Sequence, residues 1–178
     1  MQNGVAFVLG TGVGGGIISN GQLVKGHHFS AGEFSFIRTD GKNPLNPESF
    51  FGRSGSTTDL VRRVAQMTGE DPEDFEGQDM FRLIRAGHQE VEREFRAYCK
   101  GVAGQIINLQ GVLDPELFVI GGGMSAEPML VEEIKRALDD FYERDLVYSV
   151  TGVRASIKRS DLGNDANLYG ALYQLMNT

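Results

Sequence analysis

Cysteine is nearly absent from this chain of 178 residues: Cys99 stands alone. No disulfide can form within one chain, and a cysteine-rich zinc site is excluded. Such sparing cysteine use fits a reducing compartment, and a cytoplasmic location is expected. No apolar run approaches the roughly 20 residues that a membrane-spanning helix needs. Residues 1–9 lack a basic segment and run straight into a strand pattern, so a signal peptide is not expected. Clustered positive charge is also missing. Lys and Arg number 17 against 24 Asp and Glu, for a net charge of -7, and pairs such as Arg62-Arg63 and Lys158-Arg159 are scattered. That excludes a broad nucleic-acid surface but still allows a small anionic ligand. The three histidines include the neighbours His27 and His28, which point apart in a strand, so a metal site is not expected there. No serine, histidine and aspartate signature of a hydrolase is visible.

What is present is an ordinary globular composition, 40% hydrophobic and 23% charged, with length for one well-filled domain rather than two. Val5-Ala6-Phe7-Val8-Leu9 reads as a strand, and Ile17-Ile18-Ser19 as a second. Asn20-Gly21 is a strong two-residue hairpin signal, leading into a third strand at Gln22-Leu23-Val24. Residues 25–55 are rich in loop formers. Helical periodicity begins near Thr57, breaks over residues 69–77, resumes from about Asp79 to Leu113 and is interrupted at Ala86-Gly87-His88. Leu117-Phe118-Val119-Ile120 is a buried-type strand and residues 128–142 a helix with proline in its first turn. Val153-Arg154-Ala155-Ser156-Ile157 alternates like a strand, and residues 165–176 close the chain as a helix. There is no internal repeat.

Two glycine clusters carry the functional signal. Gly10-Thr11-Gly12-Val13-Gly14-Gly15 satisfies G-x-G-x-x-G on paper, but a dinucleotide site needs a helix directly after the glycines, and here the chain continues as strand and hairpin. A Walker-type loop fails too, because no Gly-Lys-Ser/Thr follows. A strand–loop–strand turn of exposed amides and a threonine hydroxyl can still cradle a phosphate without lysine. The competing reading is a glycine-rich hairpin without a ligand. Five glycines within residues 10–16 are more than a turn needs. Gly121-Gly122-Gly123-Met124-Ser125 follows a buried strand, where open α/β sheets bind ligands. A tight strand-to-helix connection would need only one glycine, so three favour a ligand. Glu33, in Ala31-Gly32-Glu33, offers a carboxylate suited to sugar hydroxyls. A solvated loop glutamate is the commoner case.

Leu9-Gly10-Thr11-Gly12-Val13-Gly14-Gly15-Gly16-Ile17-Ile18, Asn20-Gly21 and Ala31-Gly32-Glu33 together resemble the ROK family of sugar kinases and sugar-sensing repressors. Ile107-Asn108-Leu109, Leu113-Asp114-Pro115-Glu116 and Val119-Ile120-Gly121-Gly122-Gly123-Met124-Ser125 are similar to that family's segment near the adenosine. Asn164-Asp165-Ala166-Asn167-Leu168-Tyr169-Gly170-Ala171 resembles its closing helix. The resemblance implies an α/β fold of the actin-like ATPase (ribonuclease H-like) class. Its mixed sheet would open with an antiparallel three-strand meander and carry helices on both faces.

The resemblance also implies that residues 1–178 form a single domain, the C-terminal lobe of a two-lobed kinase, with the N-terminal lobe and its catalytic aspartate absent. It implies ATP and magnesium as cofactors and phosphoryl transfer to a hexose or glucoside hydroxyl, with the lobe inactive alone. Phosphates would meet Gly10, Thr11, Gly12 and Gly14, adenosine would meet Gly121, Gly122, Gly123 and Met124, and the sugar would meet Glu33. A homodimer is expected, and the rival readings are a sugar-sensing repressor lobe or a vestigial dimerisation module. Three places depart from the family pattern. Phe36 stands where a histidine often lies, three residues after the Ala-Gly-Glu glutamate. Ser49-Phe50-Phe51-Gly52-Arg53-Ser54-Gly55-Ser56 occupies the Cys-x-Cys-Gly-x-x-Gly-Cys zinc loop, so no zinc is expected. Thr58 stands where a further glutamate often lies.

Overall fold

The computed structural model describes residues 1–176. Asn177 and Thr178, the end of the expected domain, lie outside the described residues, as do the side chains of Asn164 and Asn167 from the closing motif. Strands β1 (Gly4–Leu9), β2 (Val13–Ser19) and β3 (Gln22–Leu23) form the expected antiparallel meander. At its second turn Asn20 and Gly21 both take positive φ, 52° and 76°, the primed hairpin geometry that suits the twist of paired strands. β4 (Leu117–Gly121) joins the other edge of β1 in parallel, and β5 (Ile157–Arg159) adds in parallel beyond it. The five-stranded order is β3-β2-β1-β4-β5, so β1 is the centre of a mixed sheet.

Alternation along β1 and β4 sends Val5, Phe7, Leu9, Phe118 and Ile120 to one face, where they are buried. Phe7 is the hub of this layer: its ring meets Phe34 edge-on at 4.8 Å, Phe51 at 5.6 Å and Phe118 at 6.2 Å. On the other face Val8 and Leu23 are 40% and 47% exposed.

The helices are α1 (Phe51–Ser54), α2 (Thr57–Thr68), α3 (Gly77–Arg85), α4 (Gln89–Leu113), α5 (Pro128–Arg144), α6 (Leu146–Thr151) and α7 (Ala166–Met176). α4 is the longest and buries Phe95, Cys99, Val102 and Ile106 along one face, which packs against α2, α3 and α5. Burial pushes the Cys99 thiol pKa well up, so it behaves as a small core hydrophobe. The Tyr98 hydroxyl donates to the Gly55 carbonyl at 3.1 Å, tying α4 to the loop between α1 and α2. His88, in the break expected at Ala86-Gly87-His88, accepts from the Val91 amide at 3.4 Å and so caps α4. Among the described residues no helix is long and apolar enough to cross a membrane.

Two expectations are corrected. The strand expected over residues 153–157 lies instead at Ile157–Arg159, because the buried slot beside Phe118 takes Ile157 while Val153 remains 44% exposed. Residues 146–151, given no element above, form α6. Their β-branched content disfavours a helix locally, but the Asp145 carboxylate accepts from the Val147 and Tyr148 amides, and Gly152 ends the helix at φ 66°.

Candidate functional site

The carboxyl end of β1 and the amino end of α2 meet at residues 10–12. The Thr57 amide donates to the Gly10 carbonyl at 2.9 Å, and its hydroxyl reaches the same oxygen at 3.2 Å. One residue on, the Thr58 hydroxyl lies 3.5 Å from that of Thr11. The Gly10 amide is used within the turn, donating to the Gly12 carbonyl, whereas among the described residues the amides of Thr11 and Gly12 meet no protein acceptor. Two amides without a protein acceptor among the described residues, two hydroxyls and the amino end of a twelve-residue helix thus lie close together, which is chemistry for an anion.

The glycines of residues 10–16 divide by role. A Cβ on Gly15 would sit 2.0 Å from the Ala6 carbonyl and 2.7 Å from the Phe34 ring, and Gly32 packs its backbone onto Gly15 and Gly16. These glycines serve packing, which accounts for part of the excess that pointed to a ligand. Gly10 and Gly14 meet nothing within 4 Å and leave space open. Gly14 lies within β2, beyond the turn itself.

The second glycine cluster divides in the same way. Gly121 belongs to β4 and pairs with Val8. Gly122 turns at φ 99° hard against the Leu9 carbonyl, and the Ser125 hydroxyl locks the turn by donating to the Gly122 carbonyl at 2.7 Å. Gly123 and Met124 line a cavity of about 750 Å³, within the usual range for small-molecule sites. Its other walls are the α2 face of Thr57, Thr58, Val61 and Arg62, the loop at Pro72 and Phe75, and the α3 residues Gly77, Phe81 and Arg85. Arg85 and Glu127 close the far end as an ion pair joining α3 to the start of α5. Thr58, whose hydroxyl meets that of Thr11 outside the cavity lining, stands on the same wall as an apolar floor of Val61, Phe75 and Met124.

Gly121–Gly123 marked one wall in the sequence. Thr58, Arg62, Phe75, Gly77 and Phe81 were not singled out for the site. Helical periodicity beginning at Thr57, the residue that bonds to Gly10, was the available signal for the α2 wall. The α3 wall depends on how that helix folds back, and no local signal reports it.

Glu33 is exposed in the loop that Gly32 seats on β2, and it makes no side-chain hydrogen bond or ion pair among the described residues. It does not line the cavity. Thr11, Gly12 and Glu33 are nevertheless connected through one loop: the Ser35 hydroxyl, two residues after Glu33, accepts from the Val13 amide and donates to its carbonyl, both at 3.0 Å.

The former zinc-loop positions have other duties. Ser49 donates to the Pro44 and Asn46 carbonyls, Phe51 is buried against Phe7, and the Ser56 hydroxyl caps α2 by accepting from the Asp59 amide at 3.0 Å. Both retained glycines are needed by packing: a Cβ on Gly52 would meet Ser35 at 2.8 Å, and one on Gly55 would meet Phe51 and Val13 at 2.6 Å. Among the described residues no group of three or more His, Cys, Asp or Glu gathers where it could hold a metal ion.

Comparison with known proteins gives consistent relatives. A beta-glucoside kinase of Listeria monocytogenes is 31% identical over 173 residues, which are 97% of this chain and 56% of that protein. Among solved structures, a ROK family protein from Streptococcus pneumoniae in complex with sucrose superposes with a TM-score of 0.90 at 29% identity, over 99% of this chain and 59% of the other. A ROK family glucokinase from Streptomyces griseus, in complex with glucose and AMPPNP, gives 0.79 at 25% identity over 97% and 60%. The chain thus spans a little over half the length of the relatives it matches. It has their actin-like ATPase fold. The ROK family model matches residues 1–177, and the chain belongs to the ROK family.

Proposed function

We propose that this chain is the nucleotide-binding lobe of an ATP-dependent sugar kinase, a single domain that closes on a second lobe to transfer the γ-phosphoryl group to a sugar hydroxyl. The carrying observation is the cavity between α2, α3 and Gly123-Met124, one of whose lining residues, Thr58, has its hydroxyl 3.5 Å from that of Thr11 in the glycine turn. Its dimensions and apolar floor suit a nucleoside, and the adjoining glycine turn suits phosphates. In this reading Gly10, Thr11, Gly12 and Gly14 face the phosphates, Gly123 and Met124 contact adenosine, and Gly121 and Gly122 hold those two in position. Glu33, unpartnered and free to accept, takes sugar hydroxyls at the cleft. Magnesium bound to the phosphates supplies charge neutralisation, and it arrives with the nucleotide, because Thr11 and Thr58 offer hydroxyls rather than carboxylates. Kinase relatives and the nucleotide- and sugar-bound neighbour support this reading.

Calorimetric titration of the chain with Mg-ADP tests it. One site per chain is expected, with a Kd of roughly 10 µM to 1 mM, the range in which enzymes commonly hold substrates. Absence of any heat at millimolar nucleotide would reject the assignment. Elemental analysis of protein purified without a histidine tag is expected to find far less than one zinc per chain, since a structural site needs about four ligands and the loop offers no thiolate.

A further inference from the structure

The glycine turn, which adjoins the cavity through the Thr58–Thr11 hydroxyl contact, contains no lysine or arginine, and the chain as a whole carries a net charge of -7. A polyphosphate entering there meets amides and hydroxyls but no cation from the loop itself. The nearest basic side chain along the same wall is Arg62. It stands four residues after Thr58 on α2, hence on the same helix face, and both residues line the cavity.

Arg62 is held in a way that makes it easy to release. Its guanidinium bonds the Asp59 carboxylate at 3.2 Å, and its side chain is 52% exposed. Asp59 is only 13% exposed and would be costly to strand, but it has a second cation: Arg53 reaches its other oxygen at 2.9 Å. If Arg62 swings away, Asp59 therefore keeps a charge partner. Exposed i,i+3 ion pairs are weak, so little opposes the exchange. Arg85, the other guanidinium lining the cavity, differs. It is paired with Glu127, whose carboxylate, among the described residues, otherwise accepts only from the Met129 amide.

Resting on the nucleotide reading above, we propose that Arg62 is a specificity-determining residue that exchanges Asp59 for the nucleotide's phosphates and selects phosphorylated nucleotides over the bare nucleoside. A guanidinium suits this task because it gives phosphate oxygens two parallel hydrogen bonds and stays charged at every working pH.

The test is titration of the wild-type chain, Arg62→Ala and Arg62→Lys with Mg-ADP and with adenosine, at low and at moderate salt. Arg62→Ala is expected to weaken ADP by about 10-fold, the low end for a charge-assisted hydrogen bond, while adenosine affinity stays the same. The salt dependence of ADP binding should fall with it, and Arg62→Lys should recover part of both. Equal loss for ADP and adenosine would overturn the proposal, because Arg62 would then shape the base or ribose pocket. Unchanged ADP affinity would overturn it as well, leaving the nucleotide site itself intact. If the wild-type chain binds neither ligand, the nucleotide reading fails and this inference fails with it.

Discussion

Phe7→Ala is expected to lower stability by about 3–5 kcal/mol, the usual cost of emptying a fully buried phenylalanine site. For a domain of this size that corresponds to a melting temperature roughly 10 °C lower. The effect is large because Phe7 sits on the central strand with no exposure and meets three other rings, two of them edge-on. Edge-to-face pairs contribute beyond their buried area, and alanine loses them together. Phe34 follows Glu33, and Phe51 lies in α1 just before α2, whose Thr57 bonds to Gly10, so the substitution also loosens the Glu33 loop and the seat of the glycine turn. Circular dichroism melts of the two proteins would measure the change. A difference below 1 kcal/mol would mean that Phe7 is not the centre of the core.

Gly122→Ala is the second change with a large expected effect. The residue holds φ at 99°, a region that side chains rarely enter, and its added Cβ would lie 2.0 Å from the Leu9 carbonyl oxygen. The obstacle is backbone in the central strand, so it cannot swing aside as a side-chain tip would. Strain of about 1–3 kcal/mol from the dihedral alone, with the overlap on top, gives a loss of at least about 3 kcal/mol. Gly123→Ala is the matched control. Its Cβ meets nothing within 4 Å, so the melt should move little while nucleotide binding weakens, because the methyl group enters space beside the cavity. Equal melts for Gly122→Ala and wild type would show that β4 does not press against β1 as described.

Those two glycines also show where sequence reading succeeds and where it stops. The run at residues 121–123 was legible as a special strand-to-helix connection, yet nothing local distinguishes the glycine that must fit against β1 from the one that borders the cavity. The hairpin at Asn20-Gly21 was legible because its conformation is set by the two residues themselves. α2 was legible from its apolar periodicity and the break from Gly69, and the structure adds Ser56 as its cap and Gly69 at φ 76° as its stop. β5 was displaced because an edge strand takes its register from its neighbour, here the slot beside Phe118. α6 was missed because a capping aspartate outweighed poor helix formers over six residues. At the site, the glycine turn between β1 and β2 was readable from composition. The pairing of Arg62 with a carboxylate that already has another cation exists only once α1 and α2 are folded against each other.

The central position of β1 has a kinetic consequence. β1 and β2 are adjacent in sequence and can pair as soon as both have been synthesised, but β1's other edge pairs Gly4 with Leu117 and Val8 with Gly121. That edge must wait for more than a hundred residues to be made and for a loop of that length to close, which is entropically costly and slow. Until then the nascent hairpin exposes unsatisfied backbone along β1 and the apolar row of Val5, Phe7 and Leu9, the combination that invites pairing with another chain. Overproduction at high temperature, where hydrophobic association outruns loop closure, should therefore yield inclusion bodies built on residues 4–9 before any native contact with β4 forms.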